Sequence, residues 1–126
     1  MNPFFALTAV IEAATGLALI VAPEFVVRML LGAELTGPGV PLGRLTGAAL
    51  LALSVACGLA RNDAGSHAAK AMLAAMLFYN VAAATVLGSA GWQWPTASAL
   101  LWLAVGLHGI LAVWCVALAF GAGKRA

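Results

Sequence analysis

Four long apolar segments dominate this chain of 126 residues. They cover about residues 3–22, 41–60, 67–87 and 95–120, and a helix needs about 20 apolar residues to cross the hydrocarbon core of a bilayer. Only helices and closed β-barrels satisfy every backbone polar group in lipid, and the short alternating segments of a barrel are missing. The sequence therefore predicts an all-α protein: four transmembrane helices in an antiparallel bundle, forming a single transmembrane domain over residues 1–126.

The composition excludes an ordinary soluble domain. Hydrophobic residues make up 64% of the chain and charged residues 8%, with a mean hydropathy of +1.06, whereas soluble domains carry roughly 25% charged residues. The small net charge of +2 and the lack of a basic run argue against a nucleic-acid partner. No Lys or Arg precedes the first apolar segment, so we interpret it as a retained helix in contact with lipid rather than a signal peptide.

The connection between the first two spans predicts a short helix of its own. Residues 23–31, "PEFVVRMLL", begin with a proline suited to a first helical position, and Gly32 is suited to a helix end. The mixture of charged and apolar residues indicates a helix lying in the membrane interface. The Gly-Pro-Gly at 37–39 that follows predicts a turn.

The other two connections are shorter and polar. "RNDAGS" predicts a tight hairpin between the second and third spans, and Ser66 is a candidate N-cap of the third. "GSAGWQWP" predicts a loop before the fourth span, with Trp92 and Trp94 at a membrane–water interface.

Positive charges predict the orientation. One side of the membrane would carry Arg61, Lys70, Lys124 and Arg125. The opposite side would carry Arg28 and Arg44. Because cytoplasmic loops hold the excess of Lys and Arg, both termini are predicted to be cytoplasmic.

Polar residues at mid-membrane depth are the candidate site. At 1.5 Å per residue, Glu12, Tyr79, Asn80 and His108 lie near the centres of three spans and share roughly one plane. Polar groups at that depth normally face the bundle interior and find one another. We therefore interpret them as ligand-binding or proton-exchanging residues, with Arg44 either a partner of Glu12 or a side chain extending to the interface.

Helical spacing adds small residues to this picture. On the first span, Thr8, Glu12 and Thr15 share one face, with Gly16 beside them, which suits close helix contact or a hydrated pocket. On the second span, Gly43 and Gly47 form a GxxxG pattern that predicts helix packing, either inside the bundle or in a homodimer.

The histidines and cysteines do not favour a metal or a cofactor. His67, the only other histidine, would lie at the membrane edge about 19 Å from the level of His108, so a haem held by both is disfavoured. A metal held by Glu12 and His108 is an alternative, but a hydrogen-bonded core histidine is the favoured interpretation. Cys57 and Cys115 fall inside apolar segments and are interpreted as buried small side chains.

Two stretches carry a family resemblance. "VAPEFVVRMLLG" and "LGRLTGAALLAL", joined by a Gly- and Pro-containing linker, resemble the small DoxX-like four-helix membrane proteins of bacteria. The resemblance covers about residues 7–91: an Ala-Pro that ends the first span, an interfacial leucine-rich helix, and an Arg-x-x-Gly in the second span. It implies the four-helix fold and an inner-membrane location, and it carries no substrate or catalytic residue onto these positions.

Three explanations for Glu12 stay open. It stays protonated and hydrogen-bonds to His108, Tyr79 or Asn80; it exchanges protons; or it contacts a partner or a lipid-like ligand such as a quinone. "MNPFF" and "IEAATG" are similar to small multidrug transporters, which have four short spans with a glutamate in the first, although their third-span Gly and Trp pattern is missing here.

No motif of a conventional enzyme or a nucleotide site is present. We therefore predict a non-enzymatic inner-membrane protein that binds a small hydrophobic ligand, or acts as an accessory subunit with a partner membrane protein or a second copy of itself. The alternative is a proton-coupled transporter of lipophilic cations using Glu12.

Overall fold

The computed structural model describes residues 2–63 and 65–122. Five helices follow one another in this part of the chain: α1 (Pro3–Val21), α2 (Pro23–Leu31), α3 (Gly39–Ala60), α4 (His67–Gln93) and α5 (Ala99–Ala122). All except α2 are long and apolar enough to cross a membrane. The all-helical class, the four span-length helices and the short helix between the first two are therefore confirmed, whereas a single antiparallel bundle of the four stays a prediction.

The chain divides into two compact units, Met1–Ala64 with α1 to α3 and Gly65–Ala126 with α4 and α5. Lys124 and Arg125, which contribute to the predicted orientation, lie outside the described residues.

In the first unit, α1 and α3 pack along their length and run in opposite directions. At one end the backbone N–H of Asn2 donates to the carbonyl oxygen of Arg61 at 2.7 Å. Further along, the Ser54 hydroxyl donates to the carbonyl oxygen of Ala9 at 2.7 Å. Residue numbers thus rise along α1 as they fall along α3. A bond between a hydroxyl and a backbone carbonyl fixes the register of the two helices without a charged group.

The helix α2 begins and ends where the sequence predicts. Pro23 occupies its first turn, where a missing N–H costs nothing. Gly32 ends it in the left-handed conformation, with φ 64°, and its N–H donates to the carbonyl oxygen of Arg28 at 2.9 Å. After a turn in which Gly37 also has positive φ, α3 begins at Gly39.

In the second unit, α4 and α5 form a helical hairpin. The Ser66 hydroxyl accepts a hydrogen bond from Ala69 N–H at 3.0 Å, so the predicted N-cap of α4 is confirmed. Near the far end of α4, a Cβ added to Gly91 would lie 2.9 Å from side-chain atoms of Leu101 and Trp102 at the start of α5. Glycine at this position therefore lets the two helices approach closely.

The end of α4 corrects the sequence-based prediction. "GSAGWQWP" is not a loop, because α4 continues through it to Gln93. Small residues do not end a helix that is apolar on both sides, and the Ser89 hydroxyl bonds back to Val86 O within the helix. Pro95 forces the preceding Trp94 into an extended conformation, with φ −103° and ψ 105°, and ends the helix there. The next helix, α5, begins at Ala99 rather than near Pro95.

Candidate functional site

A polar contact joins α4 and α5 inside their apolar lengths. His108 Nδ1 lies 2.9 Å from Asn80 Oδ1, and Asn80 is completely buried. Asn80 is also the central residue of α4, since thirteen helical residues of His67–Gln93 lie on each side of it, about 20 Å at 1.5 Å per residue. The second unit therefore holds an interhelical hydrogen bond at the depth of a membrane centre.

The bonding of Asn80 determines which way its amide faces. Its Nδ2 donates to the carbonyl oxygen of Met76, one turn earlier, at 2.7 Å. The reverse orientation would place an oxygen acceptor against a carbonyl oxygen at that distance, which is repulsive. Oδ1, an acceptor only, therefore faces His108. It follows that His108 Nδ1 is the protonated nitrogen and donates the bond.

Tyr79 completes the contact around His108. Its ring meets the imidazole edge to face, with ring centroids 5.6 Å apart and an interplanar angle of 86°. Such T-shaped pairs are favourable beyond the area they bury. Adjacent residues of α4 point about 100° apart, yet Tyr79 and Asn80 both contact His108. Three of the four residues predicted for the mid-membrane cluster thus lie together.

The face of α5 that carries His108 is otherwise tightly buried. Leu101 and Cys115, one heptad before and after His108, are both fully buried, and Leu111 is 1% exposed. His108 is only partly buried. These residues form a buried stripe along α5 that is partly exposed at its histidine.

Glu12, the fourth residue of the predicted cluster, lies in the first unit. It is the central residue of α1, with nine helical residues of Pro3–Val21 on each side, and it is only 1% exposed. Thr8, one turn earlier, is fully buried, and its hydroxyl donates to the carbonyl oxygen of Phe4 at 2.9 Å. That Glu12 joins the residues around His108 stays a prediction.

The polar face expected on α1 is narrower than the sequence suggested. Thr8, Glu12 and Gly16 are buried, as expected, but Thr15 is exposed. Residues four apart stay nearly in line on a helix, whereas Thr15 lies 60° from Glu12 at three residues' distance. The buried stripe follows the four-residue spacing, so Thr15 is excluded from the site.

Arg44 is exposed on α3. The contacts of Ala9 with Ser54 and of Gly16 with Gly47 set the register, and in it Arg44 lies about seven residues of α1 beyond Glu12, roughly 10 Å along the axis. The structure therefore offers no support for Arg44 as a partner of Glu12, and its exposure matches a side chain that extends to the interface.

Glycines set the contact between α1 and α3. A Cβ added to Gly16 would lie 2.8 Å from Gly47 O, and one added to Gly47 would lie 2.6 Å from Gly16 O and 2.9 Å from Ile20 N. A Cβ on Gly43 would lie 2.8 Å from Pro23 Cβ, at the start of α2. Both glycines of the GxxxG pattern are thus in contact within their own unit. The sequence placed Gly16 on the polar face and missed its reciprocal contact with Gly47.

A shallow charged depression of about 210 Å³ lies beside α2. It is lined by Glu24, Arg28, Glu34, Leu35 and Thr36. Its three charged side chains are exposed, so they keep their contact with the surroundings of the protein. In this they differ from the polar span residues Glu12 and Asn80, which are buried.

The described residues contain no cluster of three or more His, Cys, Asp or Glu side chains that would hold a metal ion. Cys57 and Cys115 are fully buried, and neither forms a disulfide within the described part of the chain. Their burial matches the interpretation of both as small core side chains.

Comparison with known proteins identifies no relative of this chain. No protein-family model, no curated protein and no solved structure matches this chain.

Proposed function

We propose that this chain is a small, non-enzymatic protein of the bacterial inner membrane with both termini in the cytoplasm. In this proposal, polar side chains within its spans bind a small hydrophobic ligand or dock a partner membrane subunit. A relationship to the DoxX-like proteins is part of the proposal, and the order of one long, one short and three long helices agrees with it.

The observation that carries the proposal is the hydrogen bond between Asn80 and His108. It connects two span-length helices at mid-depth, and one of its members is partly accessible. Intramembrane polar residues are costly in lipid, and they mark binding sites or pathways by default. A purely structural hydrogen bond does not require an imidazole, since any pair of amides or hydroxyls would bridge two helices.

The burial of Glu12 supports binding or docking over transport. A proton-coupled transporter exposes its carboxyl group to water on each side of the membrane in turn, whereas Glu12 is 1% exposed. The transporter remains the second candidate because Glu12 occupies the exact centre of α1. Its test is uptake of a lipophilic cation into proteoliposomes driven by a proton gradient. Uptake that Glu12→Gln abolishes would establish transport in place of the proposal.

Native mass spectrometry of gently extracted protein, with an absorption spectrum, tests the proposal. We expect a discrete bound mass or a second polypeptide on the wild type, and its loss in His108→Leu. Thr85→Val is the matched control, because the exposed Thr85 hydroxyl bonds only within α4, to Val81 O. If Glu12→Gln and His108→Leu both left stability, ligand content and partner binding unchanged, the proposed role of the polar residues would be wrong.

A disulfide cross-link tests whether Glu12 lies beside the residues around His108, as the sequence predicts. Glu12→Cys and His108→Cys would be combined in a chain whose two native cysteines are replaced by alanine. Cross-linking under mild oxidation is the expected result. Failure to cross-link, while each single variant folds, would remove Glu12 from the site.

A further inference from the structure

The hydrogen bonds of Asn80 have a consequence for the other side of the imidazole. Because Asn80 Oδ1 accepts from His108 Nδ1, the neutral ring carries its proton on Nδ1 and a lone pair on Nε2. A histidine whose ring N–H is held by a carbonyl oxygen has a fixed tautomer and a fixed ring orientation. Asn80 therefore prepares Nε2 to accept a hydrogen bond.

Within the described residues, nothing donates to Nε2. The contacts of His108 are the bond to Asn80 and the edge-to-face contact with Tyr79. The His108 side chain is partly exposed. The residues one turn before and after it on α5, Ala104 and Ala112, are small. The acceptor is therefore oriented and unused, on a side chain that is partly exposed.

The position of Nε2 restricts the donor. His108 is the tenth residue of α5, so about 14 Å of apolar helix separates it from the beginning of α5. Water is scarce at that depth, and an acceptor without a donor is unfavourable in hydrocarbon. The complementary molecule must dissolve in the membrane and carry a hydrogen-bond donor at the end that meets the ring.

We propose that His108 Nε2 binds the hydroxyl group of a lipophilic hydroxy compound, with Asn80 as the residue that positions the ring. This inference rests on the proposed function and names the ligand class of that same site. The hydroxyl donates its hydrogen to Nε2, and the apolar remainder of the molecule lies among hydrocarbon.

Two probes that differ only in the donor test the hydroxyl requirement: 4-nonylphenol and its methyl ether, 4-nonylanisole. Binding to the protein in lipid nanodiscs is measured by displacement or calorimetry. We expect the phenol to bind about tenfold more tightly than the ether. This ratio corresponds to the upper end of the net free energy of one hydrogen bond. His108→Leu should remove the difference, and His67→Gln should preserve it. Equal binding of the two probes by the wild type would overturn the proposal.

Nitrogen-15 NMR of the histidine ring tests the positioning role of Asn80. The chain has two histidines, so the His67→Gln variant shows His108 alone. We expect protonated Nδ1, unprotonated Nε2, and a shift of the Nε2 signal on adding 4-nonylphenol but not the ether. Asn80→Leu should give a mixture of the two tautomers and weaker phenol binding. A proton on Nε2 in the wild type would overturn the assignment.

The outcomes separate this inference from the proposed function. A native ligand that is lost in His108→Leu, with no preference for the phenol over the ether, would refute the hydroxyl class and leave the binding function intact. A wild type that retains neither ligand nor partner and binds neither probe would refute both.

Discussion

The two units join their long helices through different principal contacts, although each has both a closely packed glycine and an interhelical hydrogen bond. In the first, α1 and α3 approach until the backbone of Gly16 lies against that of Gly47. In the second, α4 and α5 meet through side chains, with Asn80 bonded to His108. Lipid gives no hydrophobic drive for helix association, so both means are available to membrane helices: van der Waals contact of small residues, and interhelical hydrogen bonds.

The difference shows which of the two contacts leaves a polar group available to bind a ligand. The glycine contact brings two backbones together and leaves no room for an added methyl group, so it holds two helices together and offers no polar side chain to a ligand. The contact of α4 with α5 ends in a partly exposed imidazole whose second nitrogen has no donor among the described residues. We expect changes in the first unit to affect mainly stability, and changes at His108 to affect mainly binding.

The largest loss of stability is expected for Gly47→Ala. The added methyl group would lie 2.6 Å from Gly16 O, a backbone atom that cannot move without moving α1. We expect a destabilisation of about 1–3 kcal/mol from overpacking, measured by unfolding in mixed detergent micelles. Gly58→Ala is the control on the same helix, because its Cβ meets nothing within 4 Å. Similar stability of the two variants would contradict the close contact.

The double variant Gly16→Ala/Gly47→Ala sharpens that result. Each methyl group meets the carbonyl oxygen of the opposite glycine, so the first substitution already separates the helices. We expect the double variant to lose less stability than the sum of the two single losses, with a coupling of at least about 0.5 kcal/mol. Strict additivity would mean that the two glycines do not face each other.

A smaller loss is expected for Asn80→Leu. It removes the bond to His108 and the bond to Met76 O while keeping the side-chain volume similar. Interhelical hydrogen bonds in membrane proteins average about 0.6 kcal/mol and reach about 1.7, and unfolding in the same micelles measures the loss. Ser89→Ala serves as control, since its hydroxyl is exposed and bonds within α4. A loss larger than that of Gly47→Ala would reverse the comparison of the two units.

The smallest loss is expected for Ser54→Ala. Its hydroxyl is the side-chain donor that links α3 to the backbone of α1, at Ala9 O, and one such bond is worth about 0.6 kcal/mol. Thr46→Val is its counterpart, because that hydroxyl donates to Leu42 O of its own helix and should contribute close to nothing. If Thr46→Val destabilised the protein as much as Ser54→Ala, the interhelical bond would carry no special weight.

Local signals in the sequence predicted most of the helix boundaries. Pro23, Gly32 and Ser66 act on their own neighbours, through a fixed φ, a left-handed conformation and a side-chain cap. The prediction was wrong where a local signal was ambiguous. Gly88 and Gly91 were interpreted as loop residues, but a glycine in an apolar helix also serves close packing, and the contact of Gly91 with Trp102 is not visible in the sequence.

The candidate site was also predicted only in part, because the sequence does not show which helix faces meet. Depth along a helix follows from residue number, so the sequence placed Tyr79, Asn80 and His108 near the same level. It did not establish that Asn80 and Tyr79 both contact one ring, or that Asn80 faces His108 with its oxygen. Those facts depend on the rotation of each helix about its axis, which packing decides. The exposure of Thr15 was mispredicted because the rotation of α1 is not visible in the sequence.

By itself, the sequence determined that this chain is a membrane protein with four span-length helices and a short helix between the first two, because length and apolar composition decide what lipid accepts. Tertiary structure decided which surfaces meet: Gly16 on Gly47, and Asn80 on His108. The reason is physical. Solvation by lipid acts on each helix separately and depends on the amino-acid composition of that helix. Contacts between helices depend on their register and rotation, which only the packed partners determine.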